Sequence, residues 1–182
     1  MKCKQIIFTR HGEKIENGKE LDIHLSTNGY IRANELSNYL KQLPINTPDI
    51  LISMKQTKAN SSNRPYETLH PLSVSLNLPI INDYVSDKID KVVDQIKEYK
   101  DKTVIVCWEH QYLVDIIKKF NVDVKNWGLD PFTNKDDGDC YNAIWVLTSL
   151  NKTLLFQIFK SFDVNNGVIH YNTNNPVLSK IF

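Results

Sequence analysis

Short apolar runs alternate with amphipathic stretches along most of this chain, and that order constrains the fold more than any other feature. Lys4–Thr9, Asp49–Ser53 and Thr103–Trp108 read as strands, with Pro79–Ile81 as a brief further one. Helical patterns lie between them. Ser26 suits an N-cap, and Ile31, Leu36, Leu40 and Leu43 recur at near-helical spacing to about residue 43, where Pro44 and Pro48 break the chain. A second helix starts near Asn63, with Pro65 in its first turn, and runs to about Leu76. Ile89, Val92, Val93 and Ile96 form an apolar helical stripe over 86–100, and residues 82–101 read as a helix with Asp83, Asp87, Asp90 and Asp94. A fourth helix spans about Gln111 to Phe120. Strands near 142–149 and 153–160 share an Asn151-Lys152 turn, and the last twenty or so residues are polar and match no pattern. Strands alternating with helices predict an α/β fold with a largely parallel sheet, made mixed by the final hairpin.

The chain has 182 residues, which suits one domain over 1–182. Apolar residues at 41% and charged residues at 24% are ordinary for a globular protein, which excludes fibrous and disordered classes. The longest apolar runs, such as Val104–Trp108, fall far short of the roughly 18–20 residues of a membrane span. The first residues hold only three consecutive apolar side chains and do not read as a secretory signal. Cys3, Cys107 and Cys140 show no CxxC spacing, so no disulfide framework or zinc ribbon is readable and a reducing, cytoplasmic setting is expected. Net charge is +1 with no block of like charges, so neither nucleic acid nor membrane is expected as a partner. Of 22 basic residues only three are Arg, so each merits inspection: Arg offers a planar fork of donors where Lys offers a point charge.

In open α/β sheets ligands bind outside the carboxyl ends of the strands. Chemistry is therefore expected at the junctions after residues 9, 53 and 108. Arg10-His11-Gly12 follows the first strand. A histidine there can present a ring nitrogen, Gly12 lets the backbone approach a ligand, and Arg10 can clamp an anion. Arg64 opens the second helix, where free N–H groups and the macrodipole favour phosphate. His110 sits where the third strand gives way to a helix. Two imidazoles and two guanidinium groups at three strand ends suit a phosphoryl group.

Thr9-Arg10-His11-Gly12-Glu13 resembles the RHG signature of the histidine phosphatase superfamily, the phosphoglycerate-mutase-like proteins. Leu25-Ser26-Thr27-Asn28-Gly29 is similar to that family's L-S-x-x-G segment, and Arg64-Pro65-Tyr66-Glu67-Thr68 to its second arginine motif, R-x-x-x-T. Val104 to His110 resembles the apolar strand that ends in the family's second catalytic histidine. The motifs stand in family order and cover residues 5 to about 120. The resemblance implies a three-layer sandwich and a phosphatase that needs no metal or other cofactor. His11 would attack phosphorus and become phosphohistidine, while Arg10, Arg64 and His110 hold the phosphoryl oxygens. The attacking nitrogen must be unprotonated, so the other ring nitrogen should donate to a carbonyl or carboxylate.

The chain departs from the family pattern in three places. No glycine lies between Gly29 and Gly128, so the Glu- and Gly-containing segment that carries the acid in many members is missing. Glu109, beside His110, is then the first candidate for proton donor and Asp83 the second. The interval from Ser53 to Arg64 is longer than the family's, and only the 54–62 and 121–141 loops leave room for a cap. An uncapped pocket favours a phosphoprotein or a flexible small phosphoester as substrate partner. The alternatives are a phosphoglycerate-mutase-type phosphotransferase and a non-catalytic phosphate-binding module. His24, His70 and His170 match no motif. Trp108 and Trp145 are expected in the core, and Trp127 with Phe132 at a pocket rim.

Overall fold

β1 (Gln5–Arg10) is the central strand of a seven-stranded sheet and is buried along its whole length. In the computed structural model, residues 2–15, 23–57, 62–122, 141–150, 153–160, 162–171 and 178–181 are described. β1 pairs in parallel with β4 (Thr103–Trp108), and β4 pairs in parallel with β2 (Ile50–Ser53). A short β3 (Ile80–Ile81) completes this half, also in parallel. The other half is antiparallel: β5 (Ala143–Leu150) pairs with β1, β6 (Thr153–Lys160) with β5, and β9 (Leu178–Ile181) with β6. β7 (Phe162–Asn165) and β8 (Val168–Tyr171) form a separate hairpin.

Register carries the functional consequence. Arg10 pairs with Trp108 and Ser53 with Cys107, so β1, β4 and β2 end together at one edge of the sheet. Thr9 pairs with Ile144 in the antiparallel direction, which brings the start of β5 to that same edge.

Helices cover both faces, as the family resemblance implies for three layers. On one face Ile6, Phe8, Val104, Val106, Trp108 and Trp145 pack with residues of α3 (Ile89–Glu98) and α4 (His110–Lys118). On the other, Ile7, Leu51, Ile105, Ile144 and Val146 pack with residues of α1 (Thr27–Gln42) and α2 (Arg64–Leu76). Alternation along each strand divides the core in this way. Burying one such side chain contributes about 1.5–3 kcal/mol. No described helix is long and apolar enough to cross a membrane.

The helix starts follow their predicted caps. The Ser26 hydroxyl accepts from Gly29 N–H at 3.1 Å, and Pro65 lies in the first turn of α2. α3 is shorter than expected: it begins at Ile89, so Asp83 and Asp87 precede it. The Trp108 indole N–H takes the Ser86 carbonyl at 3.1 Å, and that carbonyl lies outside the helix. The polar C-terminal stretch, which showed no pattern, supplies β7, β8 and β9. Asn166 and Gly167 both have positive φ, 49° and 79°, as the two central residues of the β7–β8 turn. This Asn-Gly pair is a hairpin signal that the polar flanks obscured. The Asn151-Lys152 turn lies outside the described residues, as does Cys140.

Candidate active site

The loop leaving β1 is fixed by close packing. A Cβ on Gly12 would sit 2.9 Å from the Gly29 carbonyl oxygen, and one on Gly29 would sit 2.5 Å from that of Glu13. The two glycine motifs are thus one contact, in which the loop lies directly on the first turn of α1. A second tie runs to α2. Gly12 N–H donates to the Thr68 hydroxyl at 2.9 Å, and that hydroxyl donates to the Arg64 carbonyl at 2.8 Å. The spacing within Arg64-Pro65-Tyr66-Glu67-Thr68 is one helical turn, which is why Thr68 reaches back to Arg64.

The third tie was not visible in the sequence. Arg32 of α1 grips Glu13, with Nε 3.0 Å from both carboxylate oxygens and Nη2 2.6 Å from one. Its Nη1 donates to the Phe162 carbonyl at 2.7 Å, and the guanidinium lies over the Phe162 ring. Only the scarcity of arginine pointed to this residue. Arg32 braces the loop against α1 and β7, whereas Arg10 ends β1 and Arg64 opens α2.

His11 is 2% exposed. Its Nδ1 lies 2.7 Å from the Gly12 carbonyl, which can only accept, so Nδ1 carries the proton and Nε2 has the lone pair. Burial holds the imidazole pKa well below its usual value, and the charges of Arg64 and Arg10 push it further down. His110, the first residue of α4, is half-buried and its pKa falls to about 4. Burial is again the main cause, followed by Arg10, Lys14 and Arg64. The buried Nδ1 of His110 has no hydrogen-bond partner among the described residues. Glu109 precedes α4, and its carboxyl pKa is raised because burial outweighs the opposing charge of Arg64.

These mutual influences show that His11, Arg10, Arg64, His110 and Glu109 share one neighbourhood. It holds two neutral imidazoles, two guanidinium groups and the N-termini of α2 and α4. Such a site attracts an anion, offers an unprotonated ring nitrogen to it, and raises the pKa of one carboxyl.

Tyr141 also belongs here. The Arg10 guanidinium carbon lies 4.1 Å from the centre of its ring, Arg10 Nη2 is 3.3 Å from its hydroxyl, and its ring is 6.0 Å from that of His11. The sequence placed Tyr141 in a loop and gave no signal for it. Asp83, the second candidate donor, is exposed and accepts from Gln95 of α3 at 3.1 Å. His24 contacts the Glu67 carboxylate, His70 is exposed on α2, and His170 is exposed on β8. Trp108 and Trp145 are core residues, while Trp127 and Phe132 lie outside the described residues.

Both imidazoles titrate lower in the folded chain than the unfolded value of about 6.5. Their protonation therefore favours the unfolded state, and the stability tied to their neutral forms is lost as pH falls from about 6.5 toward 4. We expect the unfolding free energy in urea to drop more steeply between about pH 7 and about pH 5 in the wild type than in His110→Gln. Equal slopes would show that His110 does not resist protonation.

No protein-family model matches this sequence, and no curated protein matches it. Solved structures do match the fold. A protein assigned as the phosphohistidine phosphatase SixA from Agrobacterium tumefaciens is 13% identical, with a TM-score of 0.55 over 85% of this chain and 95% of that one. A mycobacterial glucosyl-3-phosphoglycerate phosphatase is 14% identical, with a TM-score of 0.55 over 80% of this chain and 90% of that one. The protein histidine phosphatase SixA, solved with tungstate, is 18% identical, with a TM-score of 0.52 over 92% of this chain and 94% of that one. Identities this low speak to architecture alone, and they show that the chain has a phosphoglycerate-mutase-like fold.

Proposed function

We propose that this protein is a metal-independent phosphatase that hydrolyses phosphomonoesters or a phosphoprotein through a phosphohistidine at His11. The observation that carries the reading is the fixed tautomer of His11, whose Nδ1–H is committed to the Gly12 carbonyl while Nε2 is left basic. Nucleophilic imidazole needs that arrangement at neutral pH. The solved structures of like fold include a protein histidine phosphatase and a phosphosugar phosphatase, which supports the same class of reaction.

In the first step His11 Nε2 attacks phosphorus as the bond to the leaving oxygen breaks. The electron pair departs with that oxygen, which takes a proton from Glu109. Arg10, Arg64 and His110 hold the equatorial oxygens, and the two guanidinium groups supply the charge stabilisation. Water then attacks the phosphoenzyme with Glu109 as base, the P–N bond breaks, and His11 returns to its neutral form. The raised pKa of Glu109 suits both halves of this cycle. The buried thiols of Cys3 and Cys107 accord with a reducing, cytoplasmic setting.

The direct test is hydrolysis of an activated aryl phosphate in excess EDTA. We expect turnover that survives chelation in the wild type and falls by about a thousandfold or more in His11→Ala. No turnover in the wild type, with phosphate still bound, would favour a binding module. Glu109→Gln is expected to slow poor leaving groups by roughly 100-fold and activated aryl phosphates far less, because the latter need little protonation. Equal losses on both would remove Glu109 as the donor.

A further inference from the structure

Arg10 has a long, rotatable side chain, yet a phosphate clamp needs its planar fork held at one angle. β5 pairs antiparallel with β1, Thr9 opposite Ile144, so the residues just before β5 lie beside the end of β1. Tyr141 is placed there, half-buried, with its ring face 4.1 Å from the Arg10 guanidinium carbon. That distance is well inside the ~6 Å range of a cation–π contact. The Arg10 Nη2 is 3.3 Å from the Tyr141 hydroxyl, and the His11 ring is 6.0 Å away. The aromatic ring thus meets Arg10 and borders His11, on a segment that carries none of the family's motifs.

Resting on the phosphatase reading above, we infer that Tyr141 is a positioning residue that holds the Arg10 guanidinium flat before a phosphoryl group arrives. The ring face supplies most of the effect and the hydroxyl a smaller part. A guanidinium already held at one angle loses less freedom when it binds an anion, so the gain shows as tighter phosphate binding.

The test measures binding of inorganic phosphate by calorimetry, together with KM and kcat for an aryl phosphate. Tyr141→Leu is expected to weaken phosphate about tenfold and to raise KM more than it lowers kcat. Tyr141→Phe keeps the ring and should stay within about threefold of wild type. In an Arg10→Gln background, Tyr141→Leu should add less than about twofold. Wild-type affinity in Tyr141→Leu would overturn the proposal. So would a Phe variant as weak as the Leu variant, or an undiminished loss in the Arg10→Gln background. Tyr141→Met serves the same comparison if Tyr141→Leu does not fold. A wild type that neither binds phosphate nor turns over the ester overturns the phosphatase reading itself. A wild type that does both beside an unaffected Leu variant overturns only the role of Tyr141.

Discussion

The bond from His11 Nδ1–H to the Gly12 carbonyl depends on a backbone that cannot move away. Gly12 is seated on Gly29, tied to Thr68 through its N–H, and followed by Glu13, which Arg32 holds through both carboxylate oxygens. The three ties come from α1 and α2, so the His11 tautomer is held by helices packed on one face of the sheet. Arg32 and Glu13 are largely out of water, with side-chain exposures of 7% and 17%. Removing one partner of such a pair strands the other and costs about 3–5 kcal/mol. The brace is therefore a strong constraint although neither residue belongs to the reacting set.

Charge is arranged around that frame with one sign. Arg10 comes from β1 and Arg64 from the start of α2, and both depress the two imidazoles beyond the effect of burial. A cationic cluster of this kind keeps histidine neutral where an isolated surface histidine would be partly protonated. It also focuses anions into the sheet edge where β1, β2 and β4 end. Glu109 is the exception in sign, and burial raises its carboxyl pKa against the opposing charge of Arg64. An unprotonated ring nitrogen beside a carboxyl of raised pKa is the pairing that the proposed phosphoryl transfer to imidazole requires.

What the sequence revealed was local. Apolar strands, the Ser26 cap, Pro65 in its helix turn and the residues after each strand are set by near neighbours, and their positions hold to within a few residues. Arg10, His11, Arg64 and His110 were readable because each sits at an element boundary. The pairing of Arg32 with Glu13 spans 19 residues and that of Tyr141 with Arg10 spans 131. Neither is written in any periodicity: Arg32 meets Glu13 because α1 packs on the loop after β1, and Tyr141 meets Arg10 because β5 pairs antiparallel with β1. β7 and β8 escaped notice for another reason. Their alternation is weak and polar, and the Asn166-Gly167 turn carries most of the signal.

Trapping the covalent intermediate tests the central claim most directly. The protein is mixed with a labelled aryl phosphate, quenched in alkali, and digested to locate the label. The account predicts an acid-labile, alkali-stable phosphoryl group on the peptide that contains His11, absent in His11→Asn. Label on the His110 peptide, label that is stable to acid, or turnover without any phosphoenzyme would contradict it.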